Sequence, residues 1–197
     1  MPLRQIRAAQ TDTTVTVYQA YAPAIAEPAL AAQRFVAPFK RERMTWIKPS
    51  LLWMAYRCGY ATKPDQERVL AVEITREGFE WALEHSSLSH FEPGVYADHE
   101  AWKARKSSTA VRIQWDPERD LHHRALEHRA IQIGLGGESA GRYVDEWTVA
   151  IRDVTALMHA LRAHVRADHE DAARALLPDE PPYPLSARLA ALIGAST

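Results

Sequence analysis

Cysteine is almost missing from this chain: Cys58 stands alone among 197 residues, so no disulfide can close within it and no cysteine-based zinc site can be built. Excess charge of either sign is missing too. The net charge is −1, so no overall field gathers nucleic acid or anionic membrane, and electrostatic recognition must be local. No apolar run approaches the length that spans a bilayer, and the opening MPLRQIRAAQTDTT carries no apolar signal core. The expectation is a cytoplasmic protein with no membrane partner. Internal repeats and low-complexity blocks are also absent.

What remains is ordinary globular composition, 47% hydrophobic and 25% charged, in a chain long enough for one well-buried core and short for two. Residues 1–178 read as one α+β domain. A proline-rich connection and a short helix over 179–197 are expected to pack on it. Thr13–Tyr21 (TTVTVYQAY) and Arg68–Thr75 (RVLAVEIT) are strands by their β-branched content. In Ala110–Asp116, Val111, Ile113 and Trp115 alternate with Arg112, Gln114 and Asp116, and Ala130–Leu135 repeats the pattern. A further strand falls near Val149–Val154.

Helices are predicted over Ala22–Phe35 (with Pro28 a break or kink), Pro49–Tyr60, Glu77–His85, Ser139–Trp147, Thr155–Leu177 and Ser186–Ile193. Ser86–Ser108 reads as a long loop with one helical turn. Strands and helices do not alternate strictly and several strands are half polar, so a mixed or mostly antiparallel sheet with flanking helices is expected.

The densest chemistry lies in Phe39–Arg57, FKRERMTWIKPSLLWMAYR. Lys40, Arg41, Arg43, Lys48 and Arg57 stand there against one acid, Glu42. Pro49 suits the first position of a helix, whose free N–H groups beside Lys48 and Arg43 would make a phosphate site. Along that helix Ser50, Trp53 and Arg57 share one stripe, and Leu51, Met54 and Cys58 form an inward apolar one. Trp46 or Trp53 beside these cations suits stacking on a nucleotide base. The alternative is a pair of core tryptophans under a solvated basic face.

Other constellations are weaker. Gly134, Gly136 and Gly137 follow a strand and precede a helix, but the third glycine of a dinucleotide loop and the lysine of a P-loop are lacking, so a plain strand-to-helix turn is expected. His122, His123 and His128 lack metal-site spacing, and His159, His164 and His169 spiral about their helix rather than sharing a face. No metal is expected. Glu73 shares a strand face with Val69 and Ala71; a partly buried carboxylate there needs a partner, with Arg112 a candidate, or else serves as a general base.

The runs VYQAYAPAIAEPALAAQRF and FKRERMTWIKPSLLWMAYRCGYATKPDQERVLAVEITREGFEWAL, with VRIQWDPERDL and RAIQIGLGGE, resemble the domain-of-unknown-function family 4291. That family implies no activity. A more distant likeness is to the ADP-ribosyltransferase superfamily, carried by a strand ending in Val17, Tyr18 and Gln19, a Thr45–Trp46 block leading into a helix, and the late strand Ile131–Leu135. It implies NAD as cofactor, with Gln19, Thr45 and Gln132 in the positions that handle ribose and the reacting bond. Gln132 can bond a ribose hydroxyl but has no charge to stabilise a cationic transition state, so Glu73 or Glu138 would have to serve.

Two functions lead as expectations, ahead of a metal-dependent hydrolase built on His122–His128, which ranks last. The first is a nucleotide-using transferase in which Arg43, Lys48, Ser50 and Arg57 hold phosphates, Trp46 or Trp53 stacks the base, and Gln19, Thr45, Gln132 and Glu73 do the chemistry. The second is a non-catalytic module whose basic patch takes a nucleic acid or a phosphorylated small molecule.

Overall fold

A computed structural model describes residues 1–196. Its first sheet forms where the sequence is most β-branched. Strand β1 (Thr14–Tyr21) pairs antiparallel with β3 (Arg68–Thr75), and β3 with β7 (Thr148–Asp153), in the order β1-β3-β7. The central strand is buried on both faces from Val69 to Val72, which explains its nearly unbroken apolar run. The second sheet has the order β2-β6-β5-β4, from β2 (Thr45–Ile47), β6 (Ala125–Leu135), β5 (Val111–Arg119) and β4 (Ser86–Leu88). Only β4 and β5 run parallel; the other pairs are antiparallel. The chain is therefore α+β with two mostly antiparallel sheets.

A backbone bridge joins the sheets, the Tyr18 N–H donating to the Lys48 carbonyl at 2.7 Å. The larger core takes Val15, Val17, Leu70, Val72 and Ile74 from the first sheet and Ile47, Ile113, Ile131, Ile133 and Leu135 from the second. Helices α1 (Pro23–Ala32) and α3 (Arg76–Glu84) add Ala26, Ala29, Phe79 and Leu83. On the other face of the first sheet, Tyr18, Val69 and Ala71 meet α2 (Leu51–Cys58), α6 (Thr155–Arg166) and α7 (Glu170–Ala175) in a second core. Gly78 on α3 is required by packing: a Cβ there would lie 2.3 Å from the Trp147 ring.

Several expectations need correction. The region read as a loop contains β4 and a ten-residue helix, α4 (His99–Ser108). None of α4's residues is buried, so it has no apolar periodicity to read. Instead Asp98 caps its start by accepting from the Ala101 N–H, and Trp102 Nε1 and Arg105 Nε donate to the Leu88 and Ser86 carbonyls, each at 2.9 Å. The long helix from Thr155 is two helices, because Asp168 takes a left-handed φ of 55° between them. Residues 138–147 form α5 (Glu138–Arg142) and then a π-helical turn, Tyr143–Trp147. Pro28 stays inside α1. The C-terminal helix α8 (Ala187–Ile193) packs Leu189 and Ile193 into the larger core.

Candidate functional site

A cleft of about 550 Å³ opens where the end of β1, the strand β2, the loop before it and one side of α2 meet. That volume is typical of small-molecule sites. Its floor is polar and ordered. The Tyr143 hydroxyl donates to Gln19 Oε1 at 2.6 Å, and Gln19 Nε2 donates to Thr45 Oγ1 at 2.6 Å and to the Trp46 carbonyl at 3.3 Å. Thr45 Oγ1 lies 3.0 Å from the Tyr21 hydroxyl. Either hydroxyl can donate in that pair, since Thr45 Oγ1 keeps a second lone pair besides the one that accepts from Gln19. Burial raises the pKa of both phenols, so each stays neutral and able to donate.

Lys48 belongs to the same floor. It is 6% exposed, and its Nζ donates to the Trp46 carbonyl at 3.1 Å and lies 5.6 Å from the Trp53 ring centre. Burial, helped by the positive charge of Arg57, lowers its pKa to about 7, while Asp116 and Cys58 act weakly the other way. The walls are aromatic and cationic: Tyr21, Phe39 and Trp46 line one part, and Lys40, Arg43 and Arg57 the rim, with Asp65 the one acid among the lining residues. Trp46 can lie flat there because it pairs across the strands with Gly134, where a Cβ would sit 3.0 Å from its ring.

Six predicted residues therefore line one cleft: Gln19, Arg43, Thr45, Trp46, Lys48 and Arg57. Four do not. Trp53 is buried beneath Lys48, and Ser50 is buried as the N-cap of α2, accepting from the Trp53 N–H at 3.1 Å. Gln132 is tied through Nε2 to Asp116 Oδ2 at 2.7 Å. Glu73 forms an ion pair with Arg152, not Arg112. Arg112 instead donates to the Thr109 and Lys106 carbonyls, both at 2.7 Å.

The expected phosphate site at the helix start is also overturned. The helix begins at Leu51, and its N–H donates to Glu180 Oε1 at 2.9 Å, so a carboxyl of this chain fills the position. Burial, reinforced by the charge of Glu118, raises the pKa of Glu180 to about 8. Arg41 points away from the cleft and forms a two-bond pair with Asp145, at 2.6 and 2.8 Å.

Tyr21, Phe39, Asp65 and Tyr143 were missed. Tyr21 and Phe39 had only aromatic content near the basic stretch as a signal, Asp65 had none, and Tyr143 lies 124 positions from the Gln19 it holds. Among the described residues no cluster of three or more His, Cys, Asp and Glu could hold a metal, and His123 stacks on Tyr60 at 4.7 Å. Among them, too, no helix is long and apolar enough to cross a membrane.

Comparison with curated proteins gives no match. A family model described as "Domain of unknown function (DUF4291)" matches residues 5–183, which takes in every cleft residue named above as well as Tyr143 and Glu180, and the chain belongs to that family.

Proposed function

We propose that the cleft binds a nucleotide, with a flat base against Trp46 and Phe39 and phosphates against Arg43, Arg57 and Lys40. The observation that carries this reading is the meeting, in one concave site, of an aromatic wall, three rim cations and an ordered polar floor at Gln19 and Thr45. Aromatic faces take any base by stacking, and guanidinium forks bind phosphate oxygens in pairs. The floor hydroxyls and the Gln19 amide suit a ribose. Group transfer from the nucleotide is the reaction that such a site fits, with NAD and ATP as the first donors to try. Gln132 and Glu73 drop out of the chemistry because neither reaches the cleft.

A concave pocket, with Arg41 of the same basic stretch turned away from it to pair with Asp145, favours a small molecule over a polynucleotide track. Titration calorimetry with NAD, ATP, AMP and a short single-stranded RNA tests the proposal. Binding of a mononucleotide or dinucleotide that Arg43→Ala weakens supports it. Binding of RNA alone, with a steep salt dependence, overturns it.

A further inference from the structure

Lys48 differs from the chain's other lysines, Lys40, Lys63, Lys103 and Lys106, in being the one that the fold buries. Lys48 is nevertheless among the residues that line the cleft. An ammonium has three N–H donors, and the Trp46 carbonyl accepts from one. Among the described residues no carboxylate comes within the roughly 4 Å of an ion pair. The Trp53 ring backs the amine on its inner side. A buried amine without a counter-ion, set in an open cleft beside cations, is poorly suited to bind a phosphate as a charge and well suited to act as a nucleophile.

We propose that Lys48 Nζ forms a Schiff base with an aldehyde or ketone that carries a phosphate or nucleoside-phosphate group, the phosphate being held by Arg43 and Arg57. The inference rests on the anion-binding reading of the cleft given above and adds a substrate class to it. The neutral amine's lone pair attacks the carbonyl carbon, and the π pair moves to oxygen, which takes up a proton that the nitrogen releases. The hydroxyl of the resulting carbinolamine takes a second proton from solvent and leaves as water while the nitrogen lone pair closes the C=N bond, giving the protonated Schiff base, which can return that proton to solvent. No oxidant or reductant is consumed. With a pKa of about 7, about half of the Lys48 amines are neutral at pH 7, against roughly one in a few thousand for an ordinary lysine.

Pyridoxal 5′-phosphate is a direct probe, being an aldehyde and a phosphate at once. The intact protein is treated at pH 7 with limiting probe, reduced with borohydride, and mapped by peptide mass spectrometry. The expected result is label on Lys48 at least about tenfold faster than on the exposed Lys63 and Lys103, in spite of its burial. Excess ATP or inorganic phosphate should suppress that label, and Lys48→Arg, checked for folding by its melting curve, should remove it. Label spread over the exposed lysines with Lys48 unmodified overturns the inference. If nucleotides still bind in calorimetry in that case, the cleft reading survives and only the nucleophile falls. Label on Lys48 that neither ATP nor phosphate suppresses overturns the phosphorylated substrate class.

Discussion

Gln19 and Lys48 share one acceptor: the carbonyl oxygen of Trp46 takes Gln19 Nε2 at 3.3 Å and Lys48 Nζ at 3.1 Å. Gln19 belongs to β1 of the first sheet and Lys48 directly follows β2 of the second, and the same short strand that carries Trp46 also supplies Thr45 to Gln19. The cleft floor is thus built on a seam between the sheets. Its polar groups are held by each other before any ligand arrives, which lowers the ordering cost of binding.

Replacing Gln19 by Leu leaves the buried Tyr143 hydroxyl without an acceptor and Thr45 without its donor. We expect a loss of about 2 kcal/mol in urea unfolding. Gln19→Leu combined with Tyr143→Phe should cost less than the sum of the two single changes, because both ends of the bond are then removed.

Arg43→Ala and Arg57→Ala should each weaken nucleotide binding by about tenfold, the scale of one charge-assisted hydrogen bond. Melting temperatures should hardly change, since both side chains are exposed. Arg41→Ala should leave affinity nearly unchanged, its partner being Asp145. Calorimetry on the variants separates these cases.

The pH dependence of stability has two opposing parts. Glu180 titrates at about 8 when folded and near the ordinary 4.5 when unfolded, so the native state holds more protons between these values and stability falls as pH rises through them. Lys48 titrates at about 7 when folded against 10.5 when unfolded, so the unfolded state holds more protons there and stability rises with pH. A flat-bottomed minimum between about pH 7 and 8 is expected in denaturant midpoints, where the two slopes cancel. Glu180→Gln should remove the falling limb while leaving the rising one.

Gly78→Ala should destabilise the fold by about 2 kcal/mol or more, because the added carbon collides with the Trp147 ring and a packed aromatic cannot step aside. Gly94→Ala would meet nothing within 4 Å, but its φ of 92° makes it strained for another reason. Thermal unfolding of Gly141→Ala, which meets neither a neighbour nor such a φ, is the control.

The strands were legible because their burial follows their composition: Arg68–Thr75 has the bounds its β-branched run indicates. Four cleft residues, Arg43, Trp46, Lys48 and Arg57, were legible for a related reason, since a local excess of cations and tryptophan marks a surface whatever its exact shape; Gln19 and Thr45 came from the ADP-ribosyltransferase likeness instead. Helix α4 was not, because it is held by side chains reaching backbone carbonyls, which leave no periodic trace. Nor could the fate of the α2 start be read. Glu180 lies 129 positions from Leu51, and only the folded chain shows that an anion site has been filled from within. Gln132 was placed by analogy and Glu73 by its strand face, and their partners Asp116 and Arg152 come from other strands.

The π-helical turn of Tyr143–Trp147 holds two things at once. Tyr143 reaches inward to Gln19, and Asp145, two residues on, grips Arg41 of the loop before β2 from outside. The loop that forms the rim and the amide that forms the floor are therefore tethered to a single turn of backbone. A ligand that pulls the rim inward tugs on the anchor of the floor, so the mouth and the base of the cleft cannot adjust separately.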